Sequence, residues 1–386
     1  MNQKLTDYWQ LAAKAAHGQS AVFNAMTTAK LHEADAIIAV GKAAASMALG
    51  ALKALQADKA QKMAQLETLI ITKYGHGDDQ LDDFANITLL EAGHPVPDEN
   101  SLNAGFALLS KMKSLGKNCK LIFLVSGGAS ALVEHLAAGL TLFDLQTLNM
   151  RMLANGLPIG EMNKLRVKYS QLKNGKLLSQ FNGAKLDIFY ISDVQGDDLS
   201  VIGSGIGYYD QDLHLLSADK PKVSLHLVAS NALARNAIAR QAQSDGFEVI
   251  YNQECLYDDV FTLAPQIAQR VINGAKGIYV FGGEPTIKLP PNPKNGGRNQ
   301  SLGLAIAQHI YDHENVEFIV AGTDGTDGPT EAAGAIVDGK SFRFAEAAHE
   351  ALEQANAGDY LQRVGGLYKC GPTGTNVMDI IIGIKY

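Results

Sequence analysis

Cysteine is scarce. The chain has three in 386 residues, Cys119, Cys255 and Cys370, far apart and without a C-x-x-C pair. An odd number cannot complete a disulfide framework, so they read as reduced, mostly buried thiols of a reducing compartment. Basic residues are outnumbered, 33 Lys and Arg against 40 Asp and Glu. The net charge of -7 argues against a general nucleic-acid binder, which needs a basic face for the phosphates. No apolar run reaches the roughly 18 residues of a membrane span. The start, Met1 to Gln10, is polar and unlike a signal peptide. A cytoplasmic protein with no membrane partner is the expectation. Three motifs are also missing: a P-loop, a G-x-S-x-G nucleophile elbow, and a complete G-x-G-x-x-G between strand and helix. Gly203-Ser204-Gly205-Ile206-Gly207 resembles half of the last, without the proper flanks.

What is present suits a folding chain: 46% hydrophobic and 19% charged residues, long enough for two α/β domains. Apolar, β-branched runs read as buried strands at Ala36–Val40, Leu69–Thr72, Ile87–Leu90, Leu121–Val125, Ile188–Ile191, Leu225–Val228, Gly277–Phe281 and Phe318–Val320. Helix-like stretches lie at Leu102–Leu115, Ala232–Gln243 and Leu302–Tyr311. Runs apolar on both faces suit parallel strands covered by helices, so the fold class is α/β, with two domains, each a mostly parallel sheet. The polar stretch Asp210–Lys222 marks the boundary, giving a Rossmann-like domain over 1–215 and a second α/β domain over 222–386.

Seven polar, glycine-built turns carry the chemistry, most of them after a strand. Gly41-Lys42 puts a cation at the first turn of a helix, which is unfavourable unless an anion binds there. Taken alone, Lys42 could equally be a solvent-exposed side chain. Ser126-Gly127-Gly128-Ala129-Ser130 offers backbone N–H groups for a carboxylate or phosphate, or is a tight turn with Ser130 as a cap. Asn163 to Gly175 holds Lys164, Arg166, Lys168 and Lys173, which composition alone reads as a solvated basic face. Ser192-Asp193 ends a strand, a common place for a base or a metal ligand. Gly282-Gly283-Glu284 pairs with Gly296-Gly297-Arg298-Asn299-Gln300, where an arginine on a Gly-Gly turn suits a bidentate grip on an anion. Asp324 and Asp327, three apart on a glycine loop, suit a hard cation or a self-bonded turn. The last turn, Gly371-Pro372-Thr373-Gly374-Thr375-Asn376-Val377-Met378-Asp379, has hydroxyls and an amide that suit hydrogen bonds to a sugar-like ligand. Together these are the parts for phosphoryl transfer.

In this order, and with Val40-Gly41-Lys42-Ala43-Ala44 and Gly93-His94-Pro95-Val96-Pro97-Asp98, the set resembles the class II glycerate kinases, whose C-terminal part is the MOFRL domain. The resemblance covers about Val40 to Gly383. It implies an active site in the cleft between two domains, and transfer of the ATP γ-phosphate to D-glycerate with magnesium, most often giving 2-phosphoglycerate. It matches the family's active-site lysine and arginine to Lys42 and Arg298. It also moves Asn163, Arg166, Lys168 and Lys173 to the lining of that cleft. Three departures stand out: Tyr169 where the family has histidine, Ser301 where it usually has glutamate, and Ile206 where it usually has proline.

The roles expected on this basis are as follows. Lys42 and Arg298 neutralise the transferring phosphoryl group, and Asp193 orients the attacking hydroxyl. Ser126, Gly127, Gly128 and Ser130, with Asn163, Arg166, Lys168, Lys173, Glu284, Asn299 and Asn376, bind substrate and phosphate. Asp324 and Asp327 serve magnesium. The partners are glycerate and nucleotide; a homodimer is left open by the sequence. A hydroxypyruvate reductase and a non-catalytic sugar-acid binding protein are the competing readings.

Overall fold

The structure, a computed structural model, describes residues 3–57, 63–154, 165–209 and 221–386. Its contacts divide the chain into two compact units. The first comprises His17–Ala229 with Gly374–Asn376, and the second comprises Met1–Ala16, Ser230–Thr373 and Val377–Tyr386.

After α1 (Gln3–Ala15), the first unit runs α2 (Gly18–Thr28), β1 (Ala36–Val40), α3 (Ala44–Gln56), β2 (Glu67–Lys73), β3 (Ile87–Ala92), α4 (Glu99–Ser114), β4 (Lys120–Val125), α5 (Ala129–Leu132), α6 (Leu142–Ala154), β5 (Lys185–Ile191) and β6 (Lys222–Ala229). All five pairings of its six-stranded sheet are parallel, in the order β3-β2-β1-β4-β5-β6. Central β1 is buried at every position, as its unbroken apolar run dictates. The sheet core joins Ile38, Val40, Ile71, Phe123, Val125, Ile188 and Tyr190. Connectivity reverses between β1 and β4, which lie side by side with Val40 opposite Val125. In open α/β sheets ligands collect outside the carboxyl ends of the strands at such a point.

The second unit continues with α7 (Asn231–Ser244), β7 (Val249–Leu256), α8 (Val260–Asn273), β8 (Gly277–Gly283), α9 (Arg298–His309), β9 (Val316–Gly322), β10 (Gly334–Asp338), α10 (Ala345–Glu353), α11 (Ala357–Val364), β11 (Leu367–Tyr368) and β12 (Asp379–Lys385). Its sheet, in the order β11-β10-β9-β12-β8-β7, is mixed where a mostly parallel one was expected. Only β7 and β8 pair in parallel; β12 enters antiparallel between β8 and β9. That insertion sets Asp379 opposite both Gly283 and Gly322, the last residues of the two neighbouring strands.

The units also divide elsewhere than at 215–222. Strand β6, with exposed and half-buried residues over most of its length, is the edge of the first sheet. Helix α1 belongs to the second unit, where it buries Leu5, Tyr8, Trp9, Ala12 and Ala13, and Trp9 Nε1 donates to the Ala321 carbonyl at 3.4 Å. Most of the stretch read as a linker, 210–220, lies outside the described residues. Of the three thiols only Cys119 is buried; Cys255 and Cys370 are exposed, and none is in a disulfide. Among the described residues no helix is long and apolar enough to cross a membrane.

Candidate functional site

In the first unit the turns after β1, β4 and β5 meet. Gly41 has φ 128°, and a β-carbon there would lie 2.2 Å from Ser126 Oγ, so the two turns touch only because residue 41 lacks one. Lys42 N donates to the Gly127 carbonyl at 2.9 Å, and Ala43 N donates to Ser126 Oγ at 3.0 Å. Ser126 is fully buried, so its hydroxyl braces the Lys42 turn and does not face a ligand as expected. Gly127 passes just as closely beneath Asp193 and Asn376: a β-carbon would lie 1.8 Å from Asp193 Oδ2 and 2.2 Å from Asn376 Nδ2. Asn376 Nδ2 donates to Asp193 Oδ2 at 3.1 Å, which fixes that carboxylate. Gly128, at φ 82°, leaves room for the Lys42 stem and the His94 ring.

Beside this turn lies a cavity of about 200 Å³, lined by His94, Pro97, Gly128, Ser130, Leu145, Arg166 and Lys173, among others. Ser130 Oγ accepts from Ser204 Oγ at 2.9 Å. Lys173 is 2% exposed and bonds at 2.5 Å to Glu134, itself 1% exposed. Burial pushes the Lys173 ammonium below its ordinary range, Glu134 opposes that, and Arg166 adds to it. Burial likewise lowers Arg166 against the pull of Glu134. A buried ion pair is weak evidence for stability, yet removing one partner costs about 3–5 kcal/mol. Of the other basic-stretch residues, Lys168 is exposed and lines nothing here, and Asn163 lies outside the described residues. Lys176 Nζ pins the stretch by donating to the Val167 and Ser170 carbonyls at 2.6 and 2.7 Å.

In the second unit Arg298 opens α9, and its guanidinium is held by carboxylates. Nε donates to Asp379 Oδ2 at 2.7 Å, Nη2 to Asp379 Oδ1 at 3.2 Å, and Nη1 to Glu284 Oε1 at 2.8 Å. Burial alone would lower Arg298, but Asp379 and Glu284 outweigh it and raise it above the usual arginine range. Burial raises Asp379, with Arg298 opposing. Arg298 is thus a fork oriented by two carboxylates, with a third of its side chain, 32%, exposed.

The N-terminus of α9 is already occupied by the protein itself. Asp327 accepts from Asn299 N at 3.1 Å on one oxygen, and on the other from Gln300 N at 2.8 Å and Gln300 Nε2 at 3.0 Å. Gly297 permits this, since a β-carbon there would lie 2.2 Å from the Asp327 carboxyl carbon. Burial pushes Asp327 up to about 6, against the backbone N–H groups that favour its charge. Asn299 is 1% exposed and part of this cap, so it faces the helix start and Asp327. Asp324 Oδ1 accepts from Thr326 N at 3.0 Å, the self-bonded turn that the sequence allowed. Among the described residues no group of three or more His, Cys, Asp or Glu is placed to hold a metal ion.

Sequence reasoning passed over Glu134, and gave Asp379 and His94 no role. His94 stood in the quoted Gly93–Asp98 motif, and Asp379 closed the last one. Glu134 carried no local signal, because its partner lies 39 residues away.

The family model described as "Domain of unknown function (DUF4147)" matches residues 4–217, and the MOFRL family model matches 277–379. The chain is 33% identical to a glycerate 2-kinase of Pyrococcus horikoshii, over 90% of this chain and 86% of that one. It is 31% identical to a putative hydroxypyruvate reductase of Agrobacterium vitis, over 89% and 97%. The crystal structure of a glycerate kinase from Thermotoga maritima superposes with a TM-score of 0.80 at 31% identity, covering 100% of this chain and 99% of that one.

Proposed function

Because the chain belongs to the glycerate 2-kinase family that carries the DUF4147 and MOFRL regions, we propose that it transfers the γ-phosphate of ATP to D-glycerate and forms 2-phosphoglycerate. The observation that carries this reading is the junction at the β1/β4 switch point. There the Lys42 stem, two glycine turns and an oriented carboxylate meet beside a cavity lined with buried Lys173 and half-buried Arg166.

Glycerate's carboxylate is assigned to that cavity, held by Arg166 and Lys173 with Ser130 and the Gly128 turn. The cavity is small, as a substrate of three carbons requires. Asp193, held by Asn376, orients the attacking hydroxyl and takes its proton. Lys42, whose stem packs against Gly128, is assigned as the cation for the transferring phosphoryl group, and Arg298, aimed by Asp379 and Glu284, as a cation for phosphate charge. Transition states of this kind need positioning more than covalent help, so pre-oriented groups account for the catalysis.

Magnesium bound to the nucleotide would neutralise phosphate charge. Such ions use one or two protein carboxylates with the phosphates. Asp324 suits that duty; Asp327 does not, since both of its oxygens cap α9.

The reductase reading needs a dinucleotide site at the first βα turn, and the strand order of the first sheet is the one such folds use. Here that turn is Gly41-Lys42-Ala43 with Ser126 packed against it, and β2 ends in Thr72-Lys73 where an acidic residue would hold the ribose. The kinase reading is tested by coupled ADP release with ATP, magnesium and D-glycerate, followed by enolase. Turnover to a product that enolase consumes is expected. Oxidation of a nicotinamide cofactor by hydroxypyruvate, without ADP release, would overturn it.

A further inference from the structure

We propose that Asn231 and Thr323 are positioning residues for Arg298. They clamp Met378 in a left-handed backbone conformation, and that conformation delivers the Asp379 carboxylate to the guanidinium. This role rests on the reading of Arg298 as a cation for phosphate charge.

Met378 has φ 65° and is 3% exposed. A residue with a side chain takes that conformation at a cost, and keeps it only where its surroundings dictate it. Here they do. Thr323 directly follows β9 and is 1% exposed, and its N and Oγ1 both donate to the Met378 carbonyl, at 3.0 and 2.6 Å. The same Oγ1 accepts from Val377 N at 2.9 Å. Asn231, the fully buried first residue of α7, uses both hydrogens of its amide. Nδ2 donates to the Val377 carbonyl at 2.9 Å and to the Asp379 carbonyl at 3.1 Å. The carbonyls on either side of residue 378 are thereby held by a single side chain.

That amide is itself fixed. Its Oδ1 accepts from Arg235 Nε at 2.7 Å, and Arg235 Nη1 donates to Asn252 Oδ1 of β7 at 2.5 Å. A flipped amide would turn its N–H groups toward the guanidinium and leave both carbonyls without their donor. Gly282 of β8 makes the space, since a β-carbon there would lie 1.8 Å from Asn231 Oδ1. On the next residue, the Asp379 carboxylate passes close over the chain of β9: a β-carbon at Gly322 would lie 3.1 Å from Asp379 Oδ1. Rotation of the backbone at residue 378 would swing Asp379 out of this place, and with it the two hydrogen bonds that orient Arg298.

A clamp needed only for folding would lower stability and leave the turnover of folded protein alone. Asn231→Ala and Thr323→Val each remove half of the clamp. Each is expected to lower kcat about tenfold or more, with the KM for D-glycerate little changed. Thr323→Ser, which keeps the hydroxyl, is expected to recover what Thr323→Val loses. Met378→Gly and Met378→Ala are then introduced into both backgrounds. Either change removes the buried side chain, but only glycine adopts φ 65° freely. Met378→Gly is expected to raise turnover severalfold above Met378→Ala, while the Tm stays below that of the single variant because packing is lost. A rise in turnover against a fall in stability is the signature that a structural role alone would not give.

Folded Asn231→Ala and Thr323→Val proteins with wild-type kcat would overturn the proposal. So would equal turnover with glycine and alanine at position 378. Thr323→Val is close in shape to the native residue, so the test stands should Asn231→Ala fail to fold. Arg298→Ala separates the two layers. If its folded form turns over normally, the reading of Arg298 falls and takes this one with it. If it loses turnover while both clamp variants keep theirs, only the positioning role falls.

Discussion

Asp379 grips Arg298 through two parallel hydrogen bonds, Nε to Oδ2 at 2.7 Å and Nη2 to Oδ1 at 3.2 Å. Asp379 is 2% exposed and is the first residue of β12, so the fork is anchored in the middle of a sheet. The third arm, Glu284, lies at the surface. An arginine held this way keeps its charge and loses its freedom.

Asp379→Asn should therefore cost activity more than fold. One carboxylate oxygen becomes an amide that cannot accept from Arg298, and the guanidinium drifts. A misplacement of about 1 Å is worth roughly 100-fold in rate. Turnover 10- to 100-fold below wild type, with a cooperative melting transition retained, is expected from paired kinetic and calorimetric measurements.

Truncating the cations themselves is more severe. Lys42→Ala and Arg298→Ala are each expected to lower kcat by about 10²–10³, the usual loss when one preorganised charge contact is removed. Near-normal turnover by folded forms of both would remove them from the chemistry.

Gly127→Ala probes the crowding under Asp193. The added methyl would lie 1.8 Å from Asp193 Oδ2 and must displace it or Asn376. Turnover is expected to fall by about 10²-fold, with a smaller effect on the affinity for ATP. Unchanged kinetics would mean that Asp193 has no set position to lose.

Asp327 makes a prediction about pH. Its folded pKa, about 6, lies above the ordinary value of 3.8. The native state thus holds the extra proton between those values, and the stability it contributes is present below 3.8 and lost as pH rises through about 6. Asp379 shifts in the same direction. Compared with Asp327→Asn, the wild-type protein should lose roughly 1–3 kcal/mol between pH 4 and 7, read from urea midpoints across that range. A constant difference would contradict the shift.

Nucleotide and metal can be tested without turnover. ATP at about 100 times its dissociation constant should stabilise the fold by about 2.7 kcal/mol. The rise in Tm should be lost or much reduced when magnesium is chelated. A rise independent of magnesium would count against Asp324 as its ligand.

The sequence announced β1, β2, β4 and β5 of the first sheet well because their runs are buried on both faces; β1 was read to the residue. It hid β7, whose Asn252, Gln253 and Glu254 break the apolar pattern of a partly exposed edge. Strand β12 was not read as a strand, although Ile380–Ile382 is an apolar run, and no local pattern tells that it enters antiparallel. In the site, the turns were legible because glycines and polar residues cluster after strands. Which side chains face inward was not. Lys168 and Lys173 stand five apart on one basic stretch, and only the distant Glu134 makes one of them buried. Likewise Asp324 and Asp327 look equivalent on their loop, and only the start of α9 separates them.

Gly374–Asn376 belongs to the first unit, although Thr373 and Val377 on either side belong to the second. No single cut in the gene therefore yields a complete first half. A fragment spanning residues 17–229 would carry all six strands of its sheet and the Asp193 turn, but not the amide that holds Asp193. Recombination between relatives at the Ala229–Ser230 junction would face the same difficulty, because a hybrid takes its residue 376 from one parent and its residue 193 from the other. The two regions are inherited as one piece by virtue of three residues near the end of the chain.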